Sequence, residues 1–560
     1  MTNSKFNVTR RTFIEGGVAA GALAALGACS GGGSSSSTGS DTGSSAEVTP
    51  EGNMLSYFIT NPVCIETYDD QENQGTAVCA QLYDSLTTYD FTNDELVYVA
   101  AESCDVNDDA TEFTFHLRDG RTFHNGDPVD AASFKRGWER ICNPKTRDDP
   151  STISYHLSMV KGYDEMQSGD ATELEGVEAV DDLTLKVTLT QSYADFQYVA
   201  SHTALGPVPQ AALDDPDGYW LAPIGNGPFK MDGKWEDSQY INLVKFDDYA
   251  EPAKLDSVYY NIQKDDDTAF REFESGNIDV TTIPSGRIQE CISNYGESDD
   301  GYTCTQGKQV LLGDQVSTYY ICVNVKDEVM SDVNLRKAVS LAINRQAICD
   351  SLFEGTRAPA DNIIPPHIKG YEEGAWEYSK YDKDAAVEIL DQYYPADSDG
   401  KRGISLTLSC NTGSGNEDIM QMVQADLDAV GIDSTIQTSE WGTYLNDLQN
   451  GNYQIGRLGW IADYPIMDNF LYPLFYTGNG DNRSQYSNPD VDAALTAART
   501  TVDDDQRVAA LQAVNKQIAE DMPVIPLMFY KDNHVGSDRI KNLYFDPQGV
   551  PHMETAEVEA

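Results

Sequence analysis

Arg457, Trp460 and Asp463 fall within one short run, Arg457-Leu458-Gly459-Trp460-Ile461-Ala462-Asp463-Tyr464-Pro465. In a cleft, a carboxylate pairs with an ammonium group, and a guanidinium grips a carboxylate through two parallel bonds. An indole adds a flat apolar wall. These are the parts needed to hold a zwitterionic solute. The same composition also describes a surface loop around a core tryptophan, and composition leaves both readings open.

No enzyme constellation accompanies this run. The chain has no HExxH helix, no GxSxG elbow and no GxxxxGK[ST] loop. Gly225-Asn226-Gly227-Pro228 lacks the Lys-Ser/Thr of a phosphate cradle, and its proline removes a backbone donor, so it reads as a structural turn. The histidines at 116, 124, 156, 202, 367, 534 and 552 show no i,i+4 pair and are expected to be surface or packing residues. No CxxC spacing supports zinc. Among 91 acidic residues, a pair at hydrolase spacing carries no information. The expectation is a binding protein with no catalytic residue, no metal site and no cofactor.

The elements that must position the run mix two periodicities. Leu183, Leu185, Val187 and Leu189 alternate with polar residues, as do Phe113, Phe115 and Leu117, and both patterns predict strands with one buried face. Further strands are expected over 54–60, 240–246, 258–262, 319–323, 404–408 and 524–530. Phe134, Trp138 and Ile141 predict a helix capped by Asp130. Leu335, Val339, Ala342 and Ile343 predict another, capped by Asp332. Ile419, Val423, Leu427 and Val430 form a third stripe closed by Gly431, and Leu511, Val514 and Ile518 a fourth that ends near Pro523. The class is therefore α/β or α+β. The strand-forming tail 524–551 is expected to return and complete the sheet begun near residue 54, making the first domain discontinuous.

The N-terminus is a targeting segment. Lys5, Arg10 and Arg11 precede a short apolar stretch ending in Leu26-Gly27-Ala28-Cys29, which resembles a bacterial lipobox and implies lipidation of Cys29. Thr9-Arg10-Arg11-Thr12-Phe13-Ile14 resembles a twin-arginine export signal. Residues 30–45 are almost only Gly, Ser and Thr and form a tether. The net charge of -53 gives a strongly hydrated surface that disfavours nucleic acid and anionic membrane as direct partners. Of the ten cysteines, Cys29 is assigned to the anchor. The odd remainder leaves one thiol free or paired between molecules, and Cys291 and Cys304, flanking a polar loop, are the candidate disulfide.

Four ordered motifs carry a resemblance. These are Thr114-Phe115-His116-Leu117-Arg118-Asp119-Gly120 running on through His124-Asn125-Gly126 to Trp138; Gly225-Asn226-Gly227-Pro228-Phe229-Lys230; Leu335-Arg336-Lys337-Ala338-Val339-Ser340 with Ala342-Ile343-Asn344-Arg345; and Gly459-Trp460 with Ala462-Asp463-Tyr464. Together they resemble the family 5 extracellular solute-binding proteins, the peptide-binding lipoproteins of bacterial ABC importers, over about residues 54–545. The resemblance implies a periplasmic-binding-protein-like α/β fold of two lobes built from three domains. Residues 1–29 are the signal peptide and 30–46 the tether. Domain I comprises 47–88, 203–306 and 519–560; domain II is 89–202 and domain III 307–518.

The resemblance also implies roles. Asp463 pairs with a peptide α-ammonium, Trp460 and Tyr464 line the cleft, and Arg457 meets a carboxylate. The strip containing Asn61, Val63 and Cys64 offers backbone bonds to an extended peptide. Two departures stand out: Ile461 occupies a position where some relatives carry a disulfide cysteine, and Asn125 one where aspartate is common. The implied function is capture of short peptides at the outer face of the membrane, as a lipid-anchored monomer, for delivery to an ABC permease with cytoplasmic ATPase subunits. A peptide-sensing lipoprotein, or a binder of a metal complex or sugar, is the alternative.

Overall fold

The computed structural model describes residues 52–559, apart from 71, 285, 413, 414 and 440. Cys29, the export signal and the tether lie outside the described residues. The contact pattern treats Glu47–Ala560 as one compact unit.

Three larger sheets organise this unit. A seven-stranded mixed sheet runs in the order Val310–Leu311, His534–Gly536, Val280–Thr282, Met54–Ile59, Ser257–Ile262, Tyr240–Lys245 and Phe229–Met231. A six-stranded sheet runs Ala358–Pro359, Val524–Lys531, Asp314–Val323, Ile455–Ile461, Ser405–Asn411 and Asp433–Ser439. A four-stranded sheet runs Ala101–Val106, Glu112–Leu117, Thr184–Thr188 and Val177–Asp181. The six- and four-stranded sheets each carry one apolar cluster, and the seven-stranded sheet divides its apolar residues between two. Phe113, Phe115, Leu185 and Val187 pack with Phe134 and Trp138 of helix Ala131–Cys142 in the cluster of the four-stranded sheet. Strands and helices thus fall where period two and period 3.6 place them, because each buries one apolar face.

Local chemistry explains the element ends. Asp130 Oδ1 accepts the Ser133 N–H at 2.8 Å, and Ser133 Oγ accepts the Asp130 N–H at 3.2 Å, a reciprocal cap for helix Ala131–Cys142. Asp332 caps helix Val333–Ala342 through the Asn334 N–H. The glycine turn clamps the end of helix Asn73–Leu82. Gly227 N–H donates to the Leu82 carbonyl at 2.8 Å, and a Cβ on Gly225 would lie 1.8 Å from that oxygen. His124 joins the turn to the 114–138 stretch: its Nδ1 accepts the Gly225 N–H and its Nε2 donates to the Gly227 carbonyl.

Two expectations change. The 524–551 tail divides between two sheets. Val524–Lys531 pairs with Asp314–Val323 in the six-stranded sheet, and only His534–Gly536 reaches the sheet begun at Met54. The first six residues of Val524–Lys531 are all buried, which an interior position in a sheet covered on both sides requires. Helix Asp504–Asp521 runs through residue 518 and packs Leu511, Val514, Ile518 and Ala519 into the same large cluster as this strand. Residues 519–531 therefore go with the six-stranded sheet.

The candidate disulfide does not form either. Cys291, on helix Ile288–Tyr295, packs among Phe270, Phe273 and Ile283, whereas Cys304 packs in a different cluster with Tyr57 and Ile540. Both thiols are free, and burial pushes them up to about 11 and about 12.

Candidate functional site

Strand Ile455–Ile461 is an interior strand of the six-stranded sheet, with Thr318 opposite Trp460 and Ile321 opposite Arg457. Alternation therefore sends Trp460 and Arg457 to opposite faces. Trp460 lines a cavity of about 1070 Å³ together with Tyr320, Leu458, Asp463 and Arg483. Arg457 is absent from that lining. Its Nε donates to Asn411 Oδ1 at 2.7 Å, and its guanidinium lies 5.7 Å from the Tyr319 ring. The arginine that reaches the cavity is Arg483, 3.5 Å from Asp481.

Asp463 follows the strand, and one residue holds it. Asn469, 1% exposed on helix Met467–Phe475, donates from Nδ2 to Asp463 Oδ2 at 2.8 Å. Its Oδ1 accepts the Asp463 N–H at 3.0 Å and the Trp460 indole N–H at 3.1 Å. Gln548, from the C-terminal segment, donates to the carbonyls of Ala462 and Asp463 at 3.0 and 3.1 Å. Five bonds thus fix where the carboxylate sits before any ligand arrives. Burial raises the Asp463 carboxyl above the usual range, against the lowering effects of nearby His202 and the Asn469 bond.

Two histidines join Asp463 in the cavity. His156, in the short turn Ser154–Leu157, and His202 both line the cavity, with ring centroids 4.6 Å apart. One nitrogen of each ring and an Asp463 oxygen all lie within 4.8 Å of one another. The sequence treats them as isolated histidines because they are 46 positions apart and share no helical face. Burial holds both down at about 3, so both rings are neutral at neutral pH.

The remaining expected residues sit elsewhere. Tyr464 is 6% exposed and joins the core of the four-stranded sheet, with its ring 6.1 Å from that of His156. Asn61 bonds Asp237 and Ser238, Val63 is 59% exposed, and Cys64 is buried with its thiol donating to the Glu66 carbonyl. None of these three lines the cavity, and the segment forms no strand for a peptide to extend. The sequence reading missed Asn469, His156, His202 and Arg483. Only Asn469 had a usable signal, its place beside the Trp460–Asp463 run.

Residues 95–482 match the model of the bacterial extracellular solute-binding proteins, family 5. The chain belongs to this family. It is 27% identical to the oligopeptide-binding protein OppA of Bacillus subtilis over 473 residues, covering 81% of this chain and 84% of that protein. It is 26% identical to the periplasmic oligopeptide-binding protein OppA of Escherichia coli, covering 96% and 98%. Among solved structures, the murein tripeptide binding protein MppA of Escherichia coli superposes with a TM-score of 0.76 at 24% identity, over 91% of this chain and 99% of that one. Haemophilus influenzae OppA in complex with RPPGFSPFR gives 0.74 at 23% identity, over 91% and 99%. The α/β architecture is that of the two-lobed periplasmic binding proteins.

Proposed function

We propose that this protein captures short peptides in the cleft between its lobes and delivers them to the permease of an ABC importer driven by cytoplasmic ATPase subunits. The observation that carries this reading is Asp463: a carboxylate fixed by Asn469, with Oδ1 left open, inside a large cleft walled by Trp460. It supplies the charge that a peptide α-ammonium needs. Arg483 takes the place expected of Arg457 as the partner for a ligand carboxylate. The cavity is at the large end for ligand sites, leaving space for water around varied side chains. Lobe closure around the peptide excludes bulk water and strengthens the Asp463 pair. The family is one of binding proteins, and the reading includes no catalytic step.

In this proposal the export signal directs the chain across the membrane, Cys29 is lipidated, and the tether holds a monomeric body at the outer face. The test is native mass spectrometry of freshly purified protein, followed by calorimetry with the short peptides it carries. Co-purified peptides that rebind with an intact amino terminus support the reading. A population carrying only sugars or metal complexes overturns it. Loss of radiolabelled lipid from a Cys29→Ser variant checks the anchor separately.

A further inference from the structure

We infer that His156 is a second hydrogen-bond acceptor for the ligand's amino terminus, acting with Asp463 to read how many N–H donors the ammonium carries. This inference rests on the peptide-binding reading above and extends it to a specificity-determining residue.

His156 is 2% exposed, yet neither of its ring nitrogens has a hydrogen-bond partner. Buried polar atoms are rarely left this way, because each forfeits its hydration. A neutral imidazole offers one lone pair and one N–H in either tautomer. The ring faces the cavity, so its open partner must come from the ligand or from water bound there. His202 is different. Its Nδ1 already accepts the Ala204 N–H at 3.1 Å, so its lone pair is occupied and its other nitrogen carries the proton. Asp463 completes the set, with Oδ2 taken by Asn469 and Oδ1 unbonded. The cluster therefore presents two open acceptors, Asp463 Oδ1 and one nitrogen of His156, and a third group already committed as an acceptor elsewhere.

That inventory suits an ammonium better than a metal ion. Two acceptors that each receive an N–H from one tetrahedral nitrogen at about 2.9 Å stand about 4.7 Å apart. Two ligands of a tetrahedral zinc at about 2.0–2.1 Å stand only about 3.4 Å apart. The three groups of the cluster lie within 4.8 Å of one another, so the ammonium spacing falls within their reach. A metal would also need the His202 lone pair, which is in use. His156 comes from the turn Ser154–Leu157 and Asp463 from the end of the six-stranded sheet's Ile455–Ile461 strand. An amine held by both bridges that turn and that strand end.

The experiment varies donors on the ligand and the acceptor on the protein together. Calorimetry compares trialanine with trialanine dimethylated at its amino terminus, which keeps the positive charge but leaves a single N–H. In the wild-type protein the dimethyl peptide should bind about 10–100-fold more weakly, the range for one hydrogen bond to a charged group. In His156→Phe the two peptides should bind within about threefold of each other. His156→Gln, which restores an acceptor, should recover much of the difference. A wild-type protein that binds both peptides equally overturns the inference even if the Phe variant fails to fold. A difference that persists unchanged in a folded His156→Phe variant also overturns it. Submicromolar zinc binding by the peptide-free protein, lost in His156→Gln and displaced by trialanine, would assign the cluster to metal instead. Failure of wild-type protein to bind trialanine at all counts against the peptide-binding reading, not against His156 alone.

Discussion

Replacing Asp463 by Asn is the sharpest perturbation of the site. The change is isosteric: the new side chain still offers an oxygen to Asn469 Nδ2, now 2.8 Å from Asp463 Oδ2. It removes the charge and turns the open Oδ1 position into an amide donor. An ion pair at about 3 Å in a site of effective dielectric about 20 is worth about 5–6 kcal/mol of Coulomb energy. Desolvation of the ammonium offsets part of this, and removing one partner of such a desolvated pair costs about 2–5 kcal/mol in binding. That converts to a Kd about 30- to 5,000-fold weaker. Isothermal titration with trialanine at pH 7.5 measures it, with N-acetyl trialanine as the control. The acetyl peptide should lose affinity for the wild type by a comparable factor and lose little more in the variant. Salt separates the local pair from the general field of a chain with net charge -53. The ratio of variant to wild-type Kd should stay constant between about 0.05 and 0.5 M NaCl, because a buried pair is poorly screened. A variant Kd within threefold of wild type would refute the reasoning. A ratio that collapses in high salt would show that the overall acidity, and not this carboxylate, attracts the ligand.

Other expectations concern the scaffold. Arg140 grips Glu66 through two bonds of 2.8 and 3.0 Å with both side chains buried, so Glu66→Ala should lower unfolding free energy in urea by about 3–5 kcal/mol. The double replacement Glu66→Leu with Arg140→Met should recover most of that loss. Gly225→Ala would place a methyl 1.8 Å from the Leu82 carbonyl, so the Tm should fall, by an overpacking cost of about 1–3 kcal/mol. For His552, burial acts downward, but the bonds to Asp546 and Glu554 outweigh it and raise its pKa from 6.5 to about 10. A raised value stabilises the fold fully below about pH 6.5 and is lost as the pH rises through about 10. The Tm should therefore decline over that window in the wild type, and the decline should be shallower in His552→Gln.

Much of the framework was legible because it depends on local periodicity. The alternation of Phe113, Phe115 and Leu117, and the spacing of Phe134, Trp138 and Ile141, each imply an element with one buried face, and both elements are present. Caps such as Asp130 and Asp332 were equally readable, since the cap and the amide it accepts lie two or three residues apart. The Trp460–Asp463 run was visible as composition. Arg457, which the resemblance places at a ligand carboxylate, does not line the cavity, because period two across Ile455–Ile461 puts residues 457 and 460 on opposite sides. The disulfide guess failed because closeness in sequence is not closeness in space: Cys291 and Cys304 bury into separate clusters.

What the amino-acid sequence determined alone is many of the elements, the absence of familiar catalytic motifs and the family. Those are encoded by neighbours within a few positions or by ordered motifs. Tertiary structure decided which side chains share the cleft. Arg483 reached it and Arg457 did not, Asn469 became the holder of Asp463, and His156 and His202 came to cluster with that carboxylate. The reason is physical. A strand fixes the direction of its own side chains, but which wall stands opposite depends on how separate sheets pack, and no local pattern carries that information.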